Sequence, residues 1–114
     1  MEIAQLLDFY GDFVSERQFK TLSMYYNDDL SLSEISELLG ISRQAVMDSV
    51  KRGEKILFSM ESKLALAESF NLRKNLLHEA ASLAESLAEE APQPFQLAMR
   101  RKVNRIKDIL LLIV

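Results

Sequence analysis

The chain is 114 residues long, contains no cysteine and carries a formal net charge of −3. That length holds one domain, or a small domain with an appended element, and the missing cysteines exclude disulfides, thiol catalysis and cysteine metal sites while fitting a reducing cytoplasm. The acidic total argues against a strong non-specific nucleic-acid binder.

Helical periodicity runs throughout and no segment alternates like a strand, so the expected fold class is all-α. A first helix covers about Ile3–Tyr10 and ends at Gly11. Glu2 and Asp8 stand where a secretion signal needs positive charge, so no signal peptide is read. Ser15 with Gln18 makes a capping box, with Val14 and Phe19 as its hydrophobic staple, and opens a helix carrying Leu22, Met24, Tyr25 and Tyr26. Asn27-Asp28-Asp29 is a loop. Residues 1–40 carry two basic and eight acidic side chains.

The most informative stretch runs from Ser31 to Arg52. Ser31 caps a helix starting at Leu32, and Glu34 completes a capping box. Gly40 stops that helix, because glycine takes the left-handed conformation at little cost. Ile41 fills the turn and Ser42 caps the next helix. This spacing predicts a helix-turn-helix whose inner face is Ile35, Leu39, Ile41, Val46 and Val50. Ser42, Arg43, Gln44, Met47, Asp48 and Lys51 are left facing out. On a recognition helix Arg43 and Gln44 would meet base edges, Ser42 a phosphate or the helix end, and Lys51, Arg52 and Lys55 the backbone. Asp48 on the same face either accepts from cytosine or repels phosphate.

Val46, Val50, Gly53, Leu57, Met60, Leu64 and Ala67 follow a four-three spacing, so this helix is expected to run to about Ser69 and to offer a packing seam. Gly53 reads either as a tolerated surface glycine or as the point of close approach by a partner helix. Residues 41–76 carry seven basic and four acidic side chains, a modest basic zone.

Asn71 is placed as the cap of a further helix with Leu72, Leu76, Ala80, Leu83 and Leu87 on one face, ending before Pro92-Gln93-Pro94. Residues 77–99 carry four acidic side chains and no basic one. A last helix has Phe95, Met99, Val103, Ile106, Leu110 and Ile113 as its apolar stripe, interleaved with Arg100, Arg101, Lys102, Arg105 and Lys107. That basic cluster reads as a solvated face, a second nucleic-acid contact or an amphipathic surface. Ile109–Val114 falls far short of the ~20 apolar residues a membrane span needs. So apolar a terminus either docks into the domain or buries against a second copy, and the reading taken is a homodimer through the long apolar helices. The expected division is a helix-turn-helix domain over 1–69 and a helical extension over 70–114.

Chemistry-bearing patterns are missing. His78 is the single histidine, placed among leucines, and no phosphate loop, nucleophile elbow or metal-ligand spacing is present. No enzyme, cofactor or metal is expected. Two function classes remain: a cytoplasmic regulatory protein that binds DNA or RNA through the second helix of the motif, or a protein-interaction module that keeps the motif for its shape.

Over residues 3–66 the chain resembles the bacterial YlxM-type family. The carrying segments are Leu7-Asp8-Phe9-Tyr10, Tyr25 through Ile35, Ile41-Ser42-Arg43-Gln44-Ala45-Val46, Asp48, Lys51-Arg52, Glu54-Lys55-Ile56-Leu57 and Glu61-Ser62-Lys63-Leu64. The motif alone is also similar to region 4 of sigma factors. The resemblance implies a small all-helical protein linked to the signal recognition particle, with that particle's RNA or its GTPases as expected partners. Met47 departs from the pattern, which expects an aromatic residue there, and the match weakens from about Phe70 onward.

Overall fold

The computed structural model describes residues 2–113 as six α-helices and two short 3-10 turns, with no strand among the described residues. In order these are α1 (Ile3–Tyr10), a 3-10 turn (Gly11–Phe13), α2 (Glu16–Tyr26), α3 (Leu32–Leu39), α4 (Arg43–Leu64), α5 (Leu66–Glu90), a second 3-10 turn (Gln93–Phe95) and α6 (Gln96–Ile113). They form two compact units, one ending at Glu68 and the other beginning at Ser69.

In the first unit the local signals set the helix ends. Ser15 Oγ accepts from the Gln18 amide at 3.1 Å while the Ser15 amide donates to Gln18 Oε1 at 2.8 Å. Ser31 and Glu34 repeat the arrangement at 3.1 and 3.3 Å. Each box satisfies two backbone donors that a helix start leaves open. Gly40 sits at φ 66°, ψ 33°, the left-handed C-cap expected of it. Ser36 then donates from Oγ to the Ile41 carbonyl at 2.5 Å, closing the turn.

The core of this unit is built on α4, against which α1, α2 and α3 all pack. Ile3, Leu6, Leu7, Tyr10, Leu22, Ile35, Val46, Val50 and Leu57 are buried, with Leu39 and Ile41 half-buried against them. Small residues let α2 come close: a Cβ on Gly53 would lie 2.6 Å from Leu22 Cδ1. The close-approach reading of Gly53 therefore holds, and the approaching helix is α2 of the same chain. One turn away the buried hydroxyls of Thr21 and Ser49 share a hydrogen bond of 2.9 Å, and Thr21 Oγ1 also lies 3.0 Å from the Arg17 carbonyl. Tyr26 donates to Glu54 and ties the end of α2 to α4; burial, then Glu54, push its phenol up to about 12.

Two expectations about the long helix are corrected. α4 stops at Leu64 instead of running to Ser69, and Asn71 lies inside α5 instead of capping it. The break is Ala65, held at φ 51°, ψ 34° in the left-handed region. Its cause is a tertiary network. Tyr10, buried in the core, donates its hydroxyl to Glu61 Oε1 at 2.6 Å and accepts from the Leu66 amide at 3.0 Å. Glu61 Oε1 and Oε2 accept from the Ala67 and Glu68 amides, both at 3.0 Å. Three open donors at the start of α5 are thus satisfied by side chains from α1 and α4, and a carboxylate at a helix N-terminus also suits the helix dipole. The Tyr10 hydrogen bond and the two amides hold the Glu61 carboxyl below its ordinary value. The four-three seam accordingly ends within α4: Leu57 is buried, Met60 half-buried, Leu64 exposed, and Ala67 re-enters the core from α5.

The second unit is a hairpin of α5 and α6 around the Pro92-Gln93-Pro94 turn. Ala84, Ala88 and Val103 form its small buried cluster. Glu85 of α5 pairs with Arg100 and Lys107 of α6, both at 2.5 Å, and those two cations hold its carboxyl below the usual range. Arg100 and Lys107 are thereby assigned a structural role within the expected basic cluster. Arg101, Lys102 and Arg105 remain exposed. His78 is exposed as well.

Candidate nucleic-acid interface

The start of α4 carries every residue expected to meet nucleic acid. Ser42 accepts from the Ala45 amide at 3.0 Å, so its side chain caps the helix. No reciprocal bond forms, because Ala45 has no side-chain acceptor. Arg43 is exposed and donates from Nη1 to Ser33 Oγ of α3 at 3.2 Å. Arg52 pairs with Asp48 at 3.1 Å across one helical turn, both side chains well exposed. Such a surface pair is worth at most about 1 kcal/mol, so it can exchange for a phosphate.

Gln44, Lys51 and Lys55 are exposed and Met47 is half-buried. At 3.6 residues per turn Gln44, Met47, Lys51 and Lys55 share one face, spaced by three and four residues over roughly 16 Å of helix. Val46, Val50 and Leu57 point the other way into the core. The structure thus brings together Gln44, Met47, Lys51 and Lys55 as one stripe. It sets Arg43 at the helix end beside α3, Ser42 in the cap, and Arg52 on the flank with Asp48. This surface offers amide and ammonium donors of the kind that meet base edges and phosphates.

The residues that tie α4 to α1, α2 and the start of α5 are ones that sequence reasoning passed over. Tyr10, Glu61 and the Thr21–Ser49 pair were visible only as residues, since each acts through a contact 28 or more positions away in the chain. A buried tyrosine with a carboxylate one helix away carries no periodic signal.

Comparison with known proteins places the scaffold. The UPF0122 family model, described as "Putative helix-turn-helix protein, YlxM / p13 like", matches residues 1–92. The chain belongs to this family. A UPF0122 protein of Acetivibrio thermocellus is 53% identical over 74 residues, covering 65% of this chain and just under two thirds (63%) of that protein. A UPF0122 protein of Clostridium perfringens is 44% identical over 78 residues, covering 68% and 70% of the two chains. One from Halalkalibacterium halodurans is 37% identical over 102 residues, covering 90% and 91%. The helix-turn-helix expected from Ser31–Arg52 and the all-α fold class are those of a UPF0122 protein. No helix among the described residues is long and apolar enough to cross a membrane.

Proposed function

We propose that this UPF0122 protein is a cytoplasmic regulatory protein that binds duplex DNA through α4, acting as a homodimer through its long apolar helices. The observation that carries the DNA reading is the stripe of exposed Gln44, Lys51 and Lys55 with half-buried Met47 on the second helix of a helix-turn-helix, turned away from the buried face of that helix. Gln44 and Arg43 read base edges; Lys51, Lys55 and Arg52 (released from Asp48) neutralise phosphates; Ser42 holds the helix start, and Met47 adds apolar contact. The division of labour is a binding domain over 1–69 and an extension over 70–114.

Resemblance to the signal-recognition-particle-linked family motivates that particle's RNA as the second target and its GTPases as protein partners. RNA would have to present a single-stranded or widened site, since side chains cannot read the deep A-form major groove. The protein-interaction alternative draws on the acidic remainder of the chain and the apolar hairpin.

Fluorescence anisotropy of the full chain against a random duplex pool and against signal recognition particle RNA, over about 50–200 mM salt, tests the reading. DNA binding should weaken with salt, and a Lys51→Ala/Lys55→Ala double substitution should flatten the log–log slope by about two. Equal salt curves for the two proteins, or binding to RNA alone, would refute the duplex-DNA reading. Binding to a GTPase partner that survives the double substitution, with no nucleic-acid affinity, would favour the interaction module.

A further inference from the structure

The α5–α6 hairpin buries very little of its own apolar surface. Among the described residues only alanines and Val103 are enclosed, whereas Leu72, Leu76, Leu83 and Leu87 of α5 are 59%, 54%, 61% and 60% exposed. On α6, Ile106, Ile109 and Ile113 are also exposed. Their placement is not random. At about 100° per residue, the leucine stripe lies roughly 110° around α5 from the direction of Ala84 and Ala88, and the isoleucines lie roughly 90° around α6 from Val103. Because the two helices run antiparallel, both rotations turn toward the same side of the hairpin. Two helices thus share one broad apolar face, while Lys74, His78 and Glu89 lie on the opposite side, where Leu77, Leu110 and Leu111 line a smaller groove. Soluble proteins do not leave such a face open, and the stable solution for a two-helix layer is a second layer packed against it.

Charge at the margins selects both the occupant and its orientation. The outer margin of the face is acidic along α5 (Glu79, Glu90) and carries Arg105 along α6, with Lys102 standing among the isoleucines, all four residues exposed. We propose that two copies pack these faces into an all-antiparallel four-helix bundle, with α5 of each copy against α6 of the other; this rests on the homodimer reading above. A two-fold axis parallel to the helices brings each acidic margin beside the partner's basic one. Glu85 lies level with the midpoint of Arg100 and Lys107, so Leu83 is level with Ile106, and Glu90 falls about one helical turn from the level of the partner's Lys102. The other two-fold arrangement stacks α5 on α5 and sets acidic margin against acidic margin, which costs like-charge repulsion. Four-helix bundles whose neighbours are all antiparallel follow the same packing geometry.

The chain has no cysteine, so single-cysteine variants report the arrangement cleanly. Light scattering of the full chain should give twice the 13.0 kDa chain mass. Leu83→Cys and Ile106→Cys variants, co-expressed with different tags and then oxidised, should crosslink to each other, while each variant alone should not. Glu90→Lys should weaken the dimer about tenfold, and adding Lys102→Glu should restore it. A dimer in which Leu83→Cys crosslinks to itself, or in which the charge reversals do not compensate, overturns the arrangement and leaves the homodimer standing. A monomer at micromolar concentration overturns both.

Discussion

Replacing Gly53 with alanine tests how α2 seats on α4, because two general rules give opposite signs. A glycine inside a helix is worse than alanine by about 1 kcal/mol, so at an open surface position Gly53→Ala would stabilise the protein. Here the added methyl would lie 2.6 Å from Leu22 Cδ1 and 3.3 Å from Leu22 Cγ. Leu22 is fully buried, so it cannot swing into solvent to make room. Overpacking of this kind costs about 1–3 kcal/mol, set against the propensity gain. The net expectation is a loss of roughly 1 kcal/mol, or about 4–8 °C in Tm for a unit of this size. Urea unfolding of the full chain, followed by circular dichroism, measures it. A double-mutant cycle separates the two effects. Leu22→Ala alone should cost about 2–5 kcal/mol, and at least about 1 kcal/mol less when combined with Gly53→Ala, because the small side chain makes room for the methyl. Gly53→Ala that stabilises the protein and adds independently to Leu22→Ala would refute the close packing of α2 on α4.

Ala65→Gly should stabilise the chain by about 1 kcal/mol, because alanine pays for its left-handed φ of 51° and glycine does not; a Tm rise in calorimetry checks it. Ser31→Ala and Ser42→Ala should each cost about 1 kcal/mol in denaturant unfolding, because each removes one side-chain acceptor from a backbone amide at a helix start. Glu61 has a folded pKa below its ordinary 4.5, so its contribution is present above that value and disappears as pH falls through the lower folded one. The acid limb of a Tm-versus-pH curve should therefore be shallower in Glu61→Gln than in the native chain. Tyr10→Phe should lower Tm and shift hydrogen exchange at Leu66, whose amide loses its acceptor, more than at residues of α2.

Much of the first unit was legible because its signals are local. Ser15 with Gln18, Ser31 with Glu34, and Gly40 each act on backbone groups within a few residues, so the chain itself determines where α2 begins and where α3 begins and ends. The apolar spacing of Ile35, Leu39, Ile41, Val46 and Val50 likewise specifies one inner face, and with it the outward stripe of Gln44, Lys51 and Lys55. Helix continuity past Leu64 was not legible. Residues 61–69 have good helix propensity, and only the arrival of Tyr10 from the far end of the unit makes a break at Ala65 cheaper than continuation. The same holds for the partners of the basic residues. Arg52 turns to Asp48, and Arg100 and Lys107 turn to Glu85, once folding sets those charges side by side. The sequence by itself determined the helix-turn-helix and its exposed face, since capping and periodicity are short-range properties of the chain. Only the tertiary structure decided where α4 ends, which leucines stay uncovered and which cations are left for a ligand, because each depends on groups that meet only after the helices pack.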